Sequence, residues 1–176
     1  MPEVADLLLL QQKLRLCENR KQLGYLLVND SIKITPFDTA VFWLAQGQCV
    51  EAVSGLPEPA NNIPFTSWIT GLCSSFAKDA ERNPVRVHPA ELDASDQNKW
   101  NEYLGGDVIW VPLVTASEIV GGLLLCRSTR WQDEELSILG YWGLAAGHAI
   151  DALLNRQPTA FPLWQKLASK RTFWIV

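Results

Sequence analysis

Four cysteines and two histidines are the residues of this chain best suited to chemistry. The cysteines are scattered and form no CxxC pair: Cys17, Cys49, Cys73 and Cys126. The histidines, His88 and His148, have no cysteine or second histidine at the spacing of metal ligands. Because a metal site needs several converging His, Cys or carboxylate ligands, the sequence predicts none. Unpaired thiols are instead typical of a reducing compartment.

Motifs for covalent or phosphate chemistry are equally scarce. The chain contains no GxSxG motif, and no motif supports a nucleophile–base pairing of Cys73 with His88. The pair Gly105–Gly106 predicts a turn, and Gly121–Gly122 would let a strand approach a helix closely; neither is a phosphate loop. The acidic run at 133–135 favours the N-terminal dipole of a helix. We therefore predict no catalytic residue and no cofactor.

Charge is unevenly distributed along the chain. The net charge is −4, yet four cations and no acidic residue follow Asp151, so the tail carries +4 and residues 1–151 carry −4 − 4 = −8. An acidic body disfavours nucleic acid as a partner. The tail at 156–176 ends in Lys170-Arg171-Thr172-Phe173-Trp174, and cations followed by aromatic residues are typical of the cytoplasmic edge of a transmembrane segment. These residues alone leave two alternatives open for 156–176: a basic linker to a membrane anchor after Val176, or an ordinary C-terminus that docks a few apolar side chains.

Hydrophobic periodicity places these residues on an ordered series of elements. It predicts helices at 3–20, from 21 to before Pro36, and at 63–76, 96–104 and 132–155, with strands at 39–45, 49–53, 85–88, 107–114 and 118–127. The last strand is apolar or small in both alternating sets, so it must be covered on both faces. Short turns join the first two and the last two strands, which are therefore antiparallel. We predict one α/β (α+β) domain at 1–155, a central antiparallel sheet with the terminal helices on one face.

Five stretches of the chain, in this order, resemble the GAF domain, a small-molecule-sensing and dimerising fold related to PAS. They are the strand Thr39–Leu44, the phrase Val111-Pro112-Leu113, the Gly-containing strand Glu118–Leu125, the aromatic Trp131, and the acidic helix start Glu134–Leu139. The resemblance covers roughly residues 20 to 155. It implies a GAF/PAS-like sheet and a regulatory role.

In GAF domains the ligand lies on the sheet face opposite the terminal helices. The resemblance therefore implies that five aromatic residues converge there as a ligand site: Phe65, Trp68, Trp100, Tyr103 and Trp110. A pocket lined by flat aromatic rings favours an apolar or aromatic small molecule. The same rings could equally close the pocket, and the sequence leaves both alternatives open.

Three ligand chemistries known in GAF domains can be compared with this sequence. The Asn-Lys of cyclic-nucleotide binders is missing from 126–131, and no Cys-His pair matches the bilin binders. GAF enzymes that reduce free methionine sulfoxide use a set of pocket cysteines, and here only Cys73 is predicted near the pocket. A small redox enzyme using Cys73 is the alternative to a non-catalytic domain.

A narrower resemblance concerns the GAF domains that precede the membrane anchor of HlyD-like efflux adaptor (membrane-fusion) proteins. Its motifs are Leu23–Asp30, Pro64–Trp68, Trp110–Leu113 and the ending Lys170–Trp174. It implies a non-catalytic sensory or regulatory domain of a membrane-anchored efflux or secretion adaptor, on the cytoplasmic side of the inner membrane.

The last predicted helix also suggests a homodimer through the terminal helices. Beside its apolar seam it carries four small residues that would allow a second helix to approach closely: Gly140, Gly143, Ala146 and Gly147. We predict that such a dimer, a small-molecule ligand, or both, carry the function.

Overall fold

The computed structural model describes residues 4–56, 63–79 and 81–155 and contains a five-stranded sheet. The strands are β1 (Thr39–Leu44), β2 (Cys49–Val53), β3 (Val85–Val87), β4 (Asp107–Val114) and β5 (Ile119–Arg127). Their order is β2-β1-β5-β4-β3, and every neighbouring pair is antiparallel. The predicted fold class, an antiparallel sheet with helices packed on it, is confirmed.

Strand β5 occupies the centre of the sheet, as its two-sided apolar pattern predicted. Leu123 and Leu125 point into one hydrophobic layer, whereas Leu124 and Cys126 point into the other. All four side chains are buried. Because neither face of β5 meets water, helices must cover both sides of the sheet.

Three helices cover the first face: α1 (Val4–Leu16), α2 (Arg20–Asn29) and α5 (Asp133–Leu154). A 3-10 turn at Asp30–Lys33 follows α2 directly. The helices bury an apolar layer against the sheet, including Leu10, Leu27, Leu139, Trp142 and Ile150. The terminal helices therefore lie together on one face.

Three of the four small residues of α5 that we predicted at a dimer contact, Gly143, Ala146 and Gly147, face the sheet instead, whereas Gly140 is half-buried beside Pro84. A Cβ atom at Gly143 would lie 2.6 Å from the carbonyl oxygen of Pro112, and one at Gly147 would lie 2.2 Å from that of Val114. Ala146 is fully buried in the same layer. These residues let α5 approach β4 closely; they are not available to a second chain.

Two helices cover the second face: α3 (Pro64–Lys78) and α4 (Ala94–Tyr103). A short 3-10 turn, Pro89–Glu91, connects β3 towards α4. None of the helices in the described ranges combines the length and hydrophobicity that a membrane-crossing segment requires.

One helix boundary differs from the prediction, and another, the start of the last helix, agrees with it. The predicted first helix ends at Leu16 and not at 20, because Asn19 begins a new helix: its side chain accepts a hydrogen bond from the backbone N–H of Gln22 at 3.0 Å. At α5, Gln132 stands immediately before the helix, and its backbone N–H donates to Glu135 at 2.8 Å. The predicted basic linker at 156–176 lies outside the described residues.

Candidate functional site: an aromatic layer and an outer helix face

The five aromatic residues predicted as a ligand site all lie on the second face of the sheet. Helix α3 supplies Phe65 and Trp68, α4 supplies Trp100 and Tyr103, and β4 supplies Trp110. The three tryptophans are buried, and Phe65 and Tyr103 are half-buried against the same hydrophobic layer. The structure thus brings the predicted residues together in one layer, which we call the aromatic layer.

Tyr103 joins the two helices at the rim of this layer. Its ring centroid is 5.5 Å from that of Phe65 in an edge-to-face arrangement and 5.6 Å from that of Trp68. The indole N–H of Trp68 donates to Asp96 on α4 at 2.9 Å. Desolvation, together with Glu102, raises the pKa of the Tyr103 hydroxyl, so this rim group stays neutral at physiological pH. The rim is therefore a fixed connection between α3 and α4.

Two further aromatic residues that we did not predict belong to this layer: Trp43 of β1, which forms its floor on the sheet with Trp110, and Phe76 of α3, which covers Trp110. The ring of Trp110 lies 6.2 Å from that of Trp43 and 5.7 Å from that of Phe76. Trp43 points to this face because it alternates with Phe42, which points to the other one. Strand alternation could have identified Trp43 once the strand order was known.

Gly122 makes room for these rings. A Cβ atom there would lie 1.8 Å from Cη2 of Trp110, and Gly122 is also the register partner of Trp43 across β1 and β5. The interpretation that this glycine lets a helix approach is therefore wrong, because its neighbour is an indole ring. The ring of Trp110 thus occupies the space that a side chain at position 122 would take.

Two hydrogen-bond donors in the floor have no partner. The indole nitrogens of Trp43 and Trp110 are buried, and neither has an acceptor in the structure. Elsewhere, Trp131 donates to the carbonyl oxygen of Asp107 and Trp142 to the hydroxyl of Ser31, each at 3.0 Å. Since nine in ten buried polar groups are ordinarily paired, two neighbouring exceptions mark this floor as unusual.

The cysteines are poorly placed for redox or nucleophilic chemistry. Cys73 is a fully buried residue of α3, and burial raises the pKa of its thiol far above the ordinary value. Desolvation also raises the pKa of the other three thiols. Since the thiolate is the reactive form, this environment argues against the redox enzyme that we considered as the alternative. Within the described ranges, no three His, Cys, Asp or Glu side chains are grouped as a metal site would require.

The outer surface of the terminal helices carries several exposed apolar side chains. Leu8, Leu9 and Leu16 of α1 are exposed, Leu16 to 75%, and so are Tyr141 and Leu144 of α5. A groove of about 510 Å³ runs between the two helices, lined by Leu14, Tyr141, Leu144, His148 and Leu153 among others. We call this surface the outer helix face.

Comparison with known proteins identifies the architecture. No family model and no curated protein matches the sequence. Among solved structures, the chain is similar to the GAF domain of a phosphoenolpyruvate-protein phosphotransferase from Acinetobacter, with 14% identity, a TM-score of 0.62, and coverage of 90% of this chain and 98% of that one.

Two further structures agree with this result. The corresponding domain from Coxiella burnetii has 15% identity and a TM-score of 0.62 over 96% of this chain and 98% of that one. The GAF domain of a two-component sensor histidine kinase from Bacillus halodurans has 16% identity and a TM-score of 0.56 over 78% of this chain and 97% of that one. Similarity at this level of identity establishes the fold alone. The chain has the fold of the GAF domains.

Proposed function

We propose that this chain is a non-catalytic sensory or regulatory domain that acts by pairing its terminal helices with those of a second copy. The observation that carries this proposal is the distribution of leucines around α1. Leu10 and Leu14 are buried against the core, whereas Leu8, Leu9 and Leu16 are exposed on other sides of the same helix. Large apolar side chains exposed beside polar ones such as Lys13 and Arg15 are typical of protein–protein contact surfaces, and this supports a partner on the terminal helices.

Helix α5 extends the apolar surface beside α1. Tyr141 and Leu144 project from α5, while Gly143 and Gly147 hold the same helix directly against β4. A partner seated on the outer helix face would therefore rest on an element that is packed tightly onto the sheet. A shift of α5 on partner binding would therefore be transmitted to β4, since protein interiors are dense and compress little.

The oligomeric state in solution tests this proposal. We expect the 176-residue chain to be a dimer in sedimentation equilibrium or light scattering, and Leu144→Glu to shift it to monomer because a carboxylate cannot be buried there without a partner. Leu56→Glu is the matched control, since Leu56 follows β2 and is 46% exposed while Leu144 is 43% exposed. A monomer at all concentrations, or equal dimers of both variants, would refute the pairing.

We also propose that the aromatic layer binds an apolar or aromatic small molecule. The convergence of Phe65, Trp68, Trp100, Tyr103 and Trp110 on one face supports this site. Native mass spectrometry of the freshly purified chain should detect a co-purified molecule of low mass. If the mass equals that of the bare polypeptide, and tryptophan fluorescence responds to no compound in an aromatic fragment library, the layer is a closed core.

We further propose that the domain stands on the cytoplasmic side of a membrane-anchored efflux or secretion adaptor of the HlyD-like type. The motif resemblance and the cations Lys166, Lys170 and Arg171 support this context. Each cation near an anionic leaflet contributes on the order of 1 kcal/mol, so three give weak, salt-sensitive attachment and firm anchoring needs a hydrophobic span. Protease added to intact spheroplasts should spare the domain, and digestion would refute this topology.

A further inference from the structure

We infer that the aromatic layer takes a flat, neutral ligand bearing a hydrogen-bond acceptor, which binds the indole N–H groups of Trp43 and Trp110. This inference deepens the small-molecule site proposed above and rests on it. It adds Trp43 to the site and specifies the chemistry of the ligand.

The two unpartnered donors are the first step of the argument. Trp43 and Trp110 are 3% and 1% exposed, and their indole nitrogens contact no acceptor. In contrast, the indole of Trp68 in the same layer is paired with Asp96. A buried donor without a partner is unfavourable for the folded state, so a pair of them indicates a site that is complete only when an acceptor is present.

The position of the two indoles is the second step. Their ring centroids are 6.2 Å apart, and the rings are tilted by 58°. Both stand beside Gly122, which pairs with Trp43 in the strand register and lies under the ring of Trp110. The two indoles therefore form one group of neighbouring rings, which a single bicyclic ligand can contact.

The chemistry of the surroundings is the third step. An indole nitrogen donates and cannot accept, so its partner must offer a lone pair. Apolar buried side chains lie beside the two tryptophans, among them Val41, Ile69, Leu72, Cys73 and Leu124, and the buried polar residue of α3, Thr66, is uncharged. A charged ligand would lose its hydration there without gaining a counter-ion. The complementary ligand is therefore neutral, with a planar apolar body and a carbonyl oxygen or ring nitrogen.

Helix α3 controls access to the donors. Phe76 of α3 packs on Trp110, with 5.7 Å between the ring centroids, and Trp68 of α3 is tied to α4 through Asp96. A ligand that reaches the floor must therefore displace the end of α3 that carries Phe76. Binding would move α3 relative to the sheet, which is a means of signalling occupancy.

A pair of matched probes tests the acceptor directly. Quinoline and naphthalene have the same shape, but only quinoline carries a ring nitrogen that accepts a hydrogen bond, and it is neutral at pH 7. In the full chain labelled with 15N-tryptophan, we expect quinoline, whose single lone pair accepts one hydrogen bond, to shift the indole N–H resonance of Trp43 or Trp110. It should bind about three- to tenfold more tightly than naphthalene, the effect of that one hydrogen bond. Equal affinities, or no shift with either probe, would overturn the inference.

Single substitutions assign the donors. Trp43→Phe and Trp110→Phe each keep an aromatic ring and remove one N–H, so the substitution that removes the donor bonded to quinoline should abolish the preference for quinoline. Trp142→Phe is the control, because Trp142 lies in the layer on the other face of the sheet. A preference that survives both floor substitutions contradicts the assignment. The affinities of the unmodified chain for quinoline and naphthalene already test the inference, so the test does not depend on whether the variants fold.

The experiments can refute the inference about the ligand and the proposal of a dimer independently of each other. If quinoline and naphthalene behave alike while Leu144→Glu still dissociates a dimer, the acceptor inference is wrong and pairing through the outer helix face stands. If a fragment without any acceptor binds the layer tightly, the small-molecule site stands and only its acceptor chemistry is wrong.

Discussion

Arg127 and Glu135 form a two-pronged ion pair that joins the end of β5 to the first turn of α5. Nη1 of Arg127 donates to Oε1 of Glu135 at 2.8 Å, and Nη2 donates to Oε2 of the same carboxylate. Arg127 is buried, and its guanidinium lies 3.8 Å above the ring of Trp131. Planar bidentate geometry of this kind makes a charge pair strong and directional.

The remaining N–H groups of Arg127 hold the surrounding loops. Nη1 also donates to the carbonyl oxygen of Pro36 at 3.1 Å, and Nη2 and Nε donate to the carbonyl oxygens of Arg130 and Thr129 at 3.0 and 3.1 Å. Thr35 contributes its hydroxyl, which donates to Glu135 at 2.6 Å. One guanidinium thereby ties the segment before β1, the end of β5 and the start of α5 together.

The first prediction is a loss of stability in acid that depends on Glu135. The hydrogen bond from Arg127 lowers the pKa of this carboxyl to about 2 from its ordinary value of 4.5. Because the folded pKa is depressed, the stabilisation is complete above about pH 5 and is lost as the pH falls towards 2. We expect about 1–3 kcal/mol of the free energy of unfolding to disappear over this window.

Urea denaturation from pH 7 down to pH 2.5 measures this effect. In Glu135→Gln, the corresponding part of the pH dependence should be absent. Glu134→Gln is a suitable control, since Glu134 is exposed in the same helical turn. Parallel stability curves for the unmodified chain and Glu135→Gln would show that Glu135 is not the titrating group.

The second prediction separates the shape of Arg127 from its charge. Arg127→Lys keeps the positive charge but cannot form the two parallel bonds to Glu135 or reach the three backbone carbonyls together. We expect a loss of about 2–3 kcal/mol in the free energy of unfolding. Arg130→Lys, at an exposed neighbouring position, should change it by less than about 0.5 kcal/mol. Similar values for both variants would indicate that charge alone matters at 127.

Features of a single strand or helix could be predicted from the sequence, whereas contacts between residues far apart in the sequence could not. The two-sided apolar pattern of β5 predicted its central position, because burial on both faces is a property of the strand itself. The convergence of Phe65, Trp68, Trp100, Tyr103 and Trp110 was likewise predicted by the resemblance to a known fold. The periodicity of one strand therefore predicted its place in the sheet, and the resemblance to a known fold predicted which aromatic residues share a face.

Contacts fixed by strand register could not be predicted in the same way. Trp43 and Gly122 are far apart in sequence and become neighbours only through the pairing of β1 with β5. Glu135 looked like one of three interchangeable acids favouring a helix dipole, whereas Arg127 pairs with it and Arg86 pairs with Asp133 at 2.8 Å. Which acid meets which cation is decided by tertiary packing and not by spacing.

The third prediction concerns the space above Gly122. Gly122→Ala places a methyl group 1.8 Å from Cη2 of Trp110, so the indole must leave its position. Overpacking of this kind costs about 1–3 kcal/mol, and we expect a matching decrease in the free energy of unfolding with a changed tryptophan emission spectrum. Gly71→Ala is the control, because a Cβ atom at Gly71 meets nothing within 4 Å. It should stabilise the exposed helix α3 by about 0.5–1 kcal/mol. Unchanged stability in Gly122→Ala would mean that Trp110 does not lie over the glycine.

The fourth prediction compares two buried tryptophans that differ in their hydrogen bonding. Trp142→Phe removes the N–H that donates to the fully buried hydroxyl of Ser31 at 3.0 Å, whereas Trp43→Phe removes an N–H that has no partner. Both substitutions lose a similar ring volume, so the difference between them isolates the hydrogen bond. We expect Trp142→Phe to lower the free energy of unfolding by about 1–3 kcal/mol more than Trp43→Phe, because it alone leaves a buried group unsatisfied. Urea denaturation of the two variants side by side measures this difference. Equal losses would show that the indole of Trp43 is bonded in solution, and the pair of free donors assigned to the aromatic layer would then be wrong.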